Sequence, residues 1–470
     1  MSQITKAQPR LAFSPPKFNL WVLRLVTWVL PYWLKSKLRI TKVDVTDIDR
    51  LVEVYKQSQM GRLRLILAFR HPSRDDSACL GYLLTNLLPK AARKHRISLK
   101  PPIFAHFIYD RGIPLWAGKI VSRWYPLLGG IPIHRGRVDR VGLQTAKDVL
   151  VSGRMPLAIA PEGATNGLSE FVSPLESEAA QIGFEAMEEL VRVGREEDVL
   201  IVPLGIQYYY LDEPWRELEL LIYQLEQDCG LGVDRHDSLI AIDQNDRRPM
   251  QKLLYDRFYR LTQHLLYQIE NFYAQFYRYE IPERPPIEQS ISRTEISQRL
   301  QMLFEFALQV SEGYFNLIPQ GTKSDRSRQI EQAGWDWIYR EELTSPQNLS
   351  LVSRRLADRI ASEADLRMWH MRIVESFATI ASSYIKDRPT IDRFAEISLL
   401  LWDLVNLIKG EKSTKPPMLG NRRVHLTIGN PIPLSDYWDR YQSGRRQAKQ
   451  ATIDLTQELQ TAMEGTLDKG

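Results

Sequence analysis

Arg64-Leu-Ile-Leu-Ala-Phe69, followed at once by Arg70-His-Pro-Ser-Arg-Asp-Asp76, is the stretch whose reading decides the fold. The apolar run reads as a strand, and Ser77 to Leu88 carries helical text, so the polar heptad between them sits where a strand hands over to a helix. Moving outward, the same alternation repeats. Strands are expected at Ile103–Tyr109, Ile131–Ile133, Leu157–Ala160 and Val199–Tyr209, with helices over Gly112–Leu128, Asp139–Val151 and Glu176–Val193. Such alternation marks an α/β unit with a mixed sheet, whose ligands gather at loops beyond the strand ends.

Residues 216–410 read differently. Leu254, Phe258, Leu261, Leu265, Ile269, Phe272 and Phe276 step by threes and fours, which keeps one helix face apolar, and further helical text covers 294–311, 350–385 and 390–409. Strand and turn chemistry returns at Arg423-Val-His-Leu-Thr-Ile-Gly-Asn-Pro-Ile-Pro433, before a helix from Thr452 to Met463. The expected organisation is an N-terminal segment (1–50), an α/β domain (51–215), a large mostly helical insertion or second domain (216–415), and a C-terminal strand and helix (416–470) that return to the α/β domain.

His71 and Asp76 carry the clearest chemistry. Five residues apart, they would lie about 140° apart on one continuous helix, so they meet only if His71 is in the loop and Asp76 in the first helical turn. Pro72 favours that break. A carboxylate beside an imidazole selects its tautomer and stabilises the cation formed when the ring takes a proton, which suits a general base acting on a hydroxyl. Two other readings stand beside it. Ser73-x-x-Asp76 fits a helix capping box, and His134-Arg-Gly-Arg-Val-Asp139 is a second His-x4-Asp match.

With 470 residues, 44% of them apolar and 25% charged, the chain has ample core and is neither disordered nor collagenous. Its two cysteines, Cys79 and Cys229, form no C-x-x-C pair, which speaks for a reducing compartment and against a structural metal. The net charge of +5 is unevenly spread. Residues 1–50 carry nine Lys/Arg against three Asp, and residues 90–140 eleven against two, a basic concentration suited to anionic lipid or an acidic partner. No nucleic-acid-binding motif or cluster of stacking aromatics accompanies it. Leu20 to Leu34 is an apolar run of fifteen residues, about 22 Å as a helix against a hydrocarbon core of about 30 Å. Arg24 interrupts it, Pro31 is expected to kink or end it, and Trp21, Trp28, Tyr32 and Trp33 prefer the lipid–water boundary. It reads as an interfacial anchor, with a buried core helix as the other reading.

After His71 come Gly130-Ile-Pro-Ile-His-Arg135, Ala160-Pro-Glu-Gly-Ala-Thr165 and Val202-Pro-Leu204, each at a strand end. This series resembles the four blocks of the glycerolipid acyltransferase family, which includes the lysophosphatidic acid and glycerol-3-phosphate acyltransferases. The resemblance covers about residues 60–210, with Ile428–Ile432 similar to that family's last strand. It implies His71 as the base, Asp76 as its orienting partner, and Arg135 as a contact to the acceptor's phosphate. It further implies an acceptor site involving Ser73, Pro161, Glu162, Gly163 and Thr165, with Pro203 shaping the fourth block. Family members commonly carry Phe-Pro-Glu-Gly-Thr-Arg at the third block, so Ala160, Ala164 and Thr165 depart from it, and Thr165 cannot supply the bidentate charge of Arg. Either Arg135, Arg137 or Arg154 holds the phosphate instead, or the acceptor is not a simple phosphate monoester.

The expectation is an O-acyltransferase on the cytoplasmic face of a membrane, moving a fatty acyl group from acyl-CoA or acyl carrier protein to a lysophospholipid-like hydroxyl. The thioester is a co-substrate; no cofactor, metal or nucleic acid is implied. The rival readings are a lipid transacylase or lysophospholipase using the same base, and a non-catalytic lipid-binding scaffold.

Overall fold

The computed structural model describes residues 5–112, 118–134, 139–232, 248–283, 292–344, 349–380, 384–411 and 415–467. The chain folds as two compact units, Ala12–Asp212 with Gly420–Gly470, and Met1–Leu11 with Glu213–Leu419.

The first unit is α/β. In chain order its helices and strands are α1 (Leu20–Lys37), β1 (Ile40–Thr46), α2 (Ile48–Gln59), β2 (Leu63–Phe69), α3 (Asp76–Tyr82), α4 (Leu88–Lys94), β3 (His106–Asp110), α5 (Gly118–Leu127), β4 (Ile131–Ile133), α6 (Arg140–Ser152), β5 (Leu157–Ile159), α7 (Glu178–Arg192) and β6 (Asp198–Tyr210). After the helical unit come β7 (Arg422–Ile428) and β8 (Ile432–Pro433). The mixed eight-stranded sheet runs β1-β7-β6-β2-β5-β3-β4, with β8 also on β6. Pairing along β2, β5, β3 and β4 is parallel, as is β2 with β6, whereas β7 and β8 run antiparallel to β6.

The run that opened the sequence reading becomes a strand buried on both faces. Leu65, Leu67 and Phe69 join the core beneath α1, α2, α3 and α4, while Ile66 and Ala68 join the core beneath α6 and α7. Two covered faces are what an unalternating apolar strand requires. The same period of two divides β6, sending Val199 and Ile201 to one core and Val202, Leu204, Ile206 and Tyr208 to the other.

Pro203 lies mid-strand in β6, beside β2 and at the point where the C-terminal segment bulges. Ile428 pairs with Leu204 and Ile432 with Ile201, so one extra residue intervenes between β7 and β8. Gly429 sits there and its N–H donates to the Pro203 carbonyl at 2.8 Å. A strand residue's N–H and C=O point the same way, so the donor that proline lacks faces the bulge, where no regular ladder bond is broken. A Cβ at Gly429 would come within 2.6 Å of the Pro203 ring.

Helix α1 runs on through Pro31 to Lys37, so Pro31 does not end it. Leu23, Leu30 and Leu34 are buried in the same core as α3, and this packing holds the helix across the proline. Its other side is open: Trp21, Trp28 and Tyr32 are 75%, 80% and 73% exposed. One face of the helix is thus packed in the core, as the core-helix reading expects, and the other is exposed. Among the described residues no helix is long and apolar enough to cross a membrane. Between α3 and α4 a widened π-helical turn at Leu83–Leu87 lets the helix continue past Pro89, which cannot make the usual i→i−4 bond. The unit closes with α-helices at Ser435–Gln442 and Arg445–Gly465, the second burying Ala451, Leu455, Leu459 and Met463 against the α7 face.

The second unit is helical, built from Trp215–Asp228, Arg248–Tyr277, Arg293–Phe315, Lys323–Ile338, Leu351–Ile380 and Ile391–Lys409. The expected stripe is buried from Leu254 through Ile269, then Tyr273 takes its place and Phe276 is exposed. Buried Arg–Glu pairs tie the helices together: Arg257 to Glu226, Arg299 to Glu270 and Arg326 to Glu312. Residues near the N-terminus belong here, with Gln8–Pro9 pairing Tyr339–Arg340 and the Ala7 N–H donating to Asp358.

Candidate active site

His71 lies in the loop that leaves the carboxyl end of β2, and Asp76 is the first residue of α3. His71 Nδ1 is 2.9 Å from Asp76 Oδ2. The Asp76 side chain is fully buried and the imidazole is 18% exposed, with Phe69 edge-on against it at 6.0 Å between ring centres. The same Asp76 Oδ2 accepts the Ser73 N–H at 2.9 Å, and Oδ1 accepts the Tyr208 hydroxyl. Asp76 thus satisfies the Ser73 backbone donor and binds the histidine at once, but the expected capping box does not form: the residue capping α3 is Asp75, and its side chain makes no cap bond.

Burial pushes the Asp76 carboxyl up, while His71, Tyr208 and the Ser73 N–H pull it back by favouring the ionised form. The Ser73 N–H and the Tyr208 hydroxyl donate to its two oxygens, one to each, which favours the carboxylate. A carboxylate can only accept, so Nδ1 carries the hydrogen and Nε2 keeps its lone pair. Among the described residues no hydrogen-bond partner meets Nε2. The neighbouring histidines of this unit differ. His106 binds the Gly129 carbonyl, His425 binds Thr46 on the surface, and His95 pairs with an exposed Asp49.

Glu162 and Arg70 build the floor. The Arg70 guanidinium is fully buried and donates to Glu162 Oε1 at 3.2 Å and to the carbonyls of Leu168, Ser169 and Phe171. Glu162 Oε1 also takes the His71 N–H at 2.8 Å, and Oε2 takes Asn166 Nδ2 at 3.0 Å and the Ser173 N–H at 2.9 Å. Both oxygens of Glu162 are therefore occupied by the protein, and what it holds is the His71 backbone and the loop after β5. Gly163 turns that loop at φ +74°, where a Cβ would come within 2.4 Å of Glu176 Oε1.

Ser73 meets this cluster through its N–H and, at 3.2 Å, through its hydroxyl to the Asp75 N–H. Pro161 is buried beneath the loop, with its carbonyl bonded to the Glu176 N–H at 2.7 Å, and Thr165 is exposed on the loop. Arg135 and Arg137 lie outside the described residues, and Arg154 is exposed before β5. The second His-x4-Asp match is built differently. Asp139 caps α6 through the Gly142 N–H, takes the His134 backbone N–H at 2.9 Å, and pairs with Arg111.

Sequence reasoning did not find Tyr208, Asn166 or Arg422, nor the part Arg70 plays. A charge closing an apolar strand, as Arg70 does, was a signal that something buried must answer it. The parity of β6 was another, since even-numbered residues there face α3. Arg422 donates to Asp75 Oδ2 at 2.7 Å and to the Leu38 carbonyl at 3.1 Å, with its guanidinium 5.0 Å from the Tyr208 ring centre. Among the described residues no group of His, Cys, Asp and Glu has metal-holding geometry.

The arrangement is able to take a proton at Nε2 and hold the resulting cation against a buried carboxylate. No protein-family model matches the chain, and no curated protein matches it.

Proposed function

We propose that the protein is a membrane-surface O-acyltransferase of the glycerolipid type, moving a fatty acyl group from acyl-CoA or acyl carrier protein to a lysophospholipid-like hydroxyl. The observation that carries the reading is the His71 Nδ1–Asp76 Oδ2 contact of 2.9 Å at the carboxyl end of β2, with the imidazole partly open. Strand carboxyl ends are where open α/β sheets place their ligands. The order of the four blocks supports the choice of reaction.

In the reaction, Nε2 of His71 takes the acceptor's hydroxyl proton as that oxygen bonds to the thioester carbonyl carbon. The tetrahedral species then collapses, its C–S bond breaks, and the departing thiolate receives the proton from Nε2. Thioester and alcohol become ester and thiol, and the histidine is restored. A thioester is already activated, so the protein needs no acyl intermediate of its own; general-base help is worth roughly 10² to 10⁴ in rate. Moving an acyl chain of about sixteen carbons through water would cost over about 10 kcal/mol, at about 0.8 per CH₂. The exposed aromatic face of α1, with Lys35 and Lys37 in its last turn, suits docking at a lipid surface.

The test is purified protein with a panel of lysolipids and labelled acyl-CoA or acyl carrier protein, products separated by mass. His71→Ala and Asp76→Ala are expected to abolish transfer with the fold retained, and full activity in both would refute the assignment. Product formed without any thioester would instead identify a transacylase or hydrolase.

A further inference from the structure

We infer that Tyr208 is a positioning residue for the His71–Asp76 pair, its hydroxyl holding the Asp76 carboxylate in the orientation from which it directs the imidazole. The inference rests on the reading of His71 as general base and adds a third member to that pair.

The geometry gives Tyr208 one job. It stands on β6 with its ring turned to the α3 side, and its backbone N–H donates to Ser169 Oγ at 3.2 Å. Its hydroxyl meets Asp76 Oδ1, the oxygen that His71 and Ser73 leave open. Cys79 Sγ lies 3.7 Å from the same hydroxyl, and the Arg422 guanidinium covers the ring. Arg422 is itself tied to Asp75, just before α3, and to the Leu38 carbonyl at the end of α1, so the group covering the phenol is fixed from both sides. Burial and the Asp76 charge push the phenol well up, so it remains a donor throughout the working range.

Without that donor, Asp76 Oδ1 would be a buried, unanswered carboxylate oxygen, which favours protonation of Asp76 and loss of its grip on Nδ1–H. The other groups nearby do not replace it. Asp75, just before α3, is paired with Arg422 of β7, the Cys79 thiol on α3 is pushed up by burial, and Arg70 beyond β2 is engaged by Glu162.

Tyr208→Phe keeps the ring and its stacking and removes only the hydroxyl. Two readouts are taken on the full chain: the pH profile of kcat and KM, and the titration of the His71 ring by nitrogen-15 NMR, its resonance identified with His71→Ala. The expected result is a fall in kcat of about tenfold to a hundredfold with KM unchanged, an acid limb about one pH unit higher, and a shifted His71 titration. Should Tyr208→Phe fail to fold, 3-fluorotyrosine placed at position 208 alone, a stronger donor of nearly the same shape, is expected to move the acid limb and the His71 titration the opposite way. An unmoved His71 titration and acid limb in a folded variant would overturn the inference. The NMR arm needs no turnover: a shifted His71 titration in a protein that transfers no acyl group would sink the acyltransferase reading and leave the positioning role standing.

Discussion

Replacing Glu162 with Gln tests the construction of the site floor. Glu162 receives four donors, Arg70 Nε and the His71 N–H on one oxygen, Asn166 Nδ2 and the Ser173 N–H on the other. Glutamine offers one carbonyl oxygen and one NH₂, so whichever way the amide lies, two of the four donors face another donor. Arg70, fully buried, also loses its carboxylate and keeps only backbone carbonyls. Breaking a buried ion pair from one side costs about 3–5 kcal/mol. At roughly 2–4 °C per kcal/mol for a unit of this size, Glu162→Gln should melt about 6–20 °C below the parent. Scanning calorimetry of the full chain measures the drop, and amide exchange of β2 and β5 assigns it, since two units need not unfold together. The double variant Arg70→Met, Glu162→Leu should lose less than the sum of its singles, because no orphan charge remains. A melting point within about 2 °C of the parent for Glu162→Gln would show that the carboxylate is not what holds Arg70 and the loop, and the account of the floor would be wrong.

The open face of α1 is predicted to be the lipid contact: Trp21, Trp28 and Tyr32 together changed to Ser should weaken liposome sedimentation about 10²- to 10³-fold, with melting unchanged because these rings contribute nothing to the core. Undiminished sedimentation would place the contact elsewhere. A pH-dependent loss of stability is expected from His370 in the helical unit, whose Nδ1 meets the Tyr273 hydroxyl at 3.0 Å and whose buried Nε2 meets no partner among the described residues. Burial, assisted by Arg367, holds its imidazole down to about 4 from the ordinary 6.5. The unfolded chain therefore binds this proton first, and stability present above pH 6.5 is lost as pH falls toward 4, about 2 kcal/mol of it between pH 7.5 and 5. Denaturant titrations at both pH values should show that loss shrinking by the same amount in His370→Phe; an identical loss in the variant would contradict the assignment.

Much of the architecture could be read locally. The unalternating run at Leu65–Phe69 demands cover on both faces, and Pro72 separates strand from helix, so His71 falls in the loop and Asp76 in the first turn. Such signals act over a few residues, through sterics and hydrogen bonds the chain makes with itself. Pro31 does not end its helix. Its local preference is to interrupt a helix, but Leu30 and Leu34 buried against the rest of the unit outweigh it.

The environment of the pair was decided by tertiary structure. Tyr208 reaches Asp76 across 132 residues, and Arg422 reaches Asp75 across 347, after the chain has built a whole helical unit and returned. Sheet register brings them there: β6 lies between β2 and β7, and Tyr208 pairs with Val424. Glu162 illustrates the same division. Its chain neighbours identify a turn after a strand, but its burial, and the use of both its oxygens to hold Arg70 and the His71 backbone, arise only because β5 packs beside β2. Sequence by itself determined which residues could do chemistry and which elements would carry them. Pairing of distant strands determined which of those groups are buried, partnered and aimed, because desolvation and hydrogen-bond geometry depend on neighbours in space.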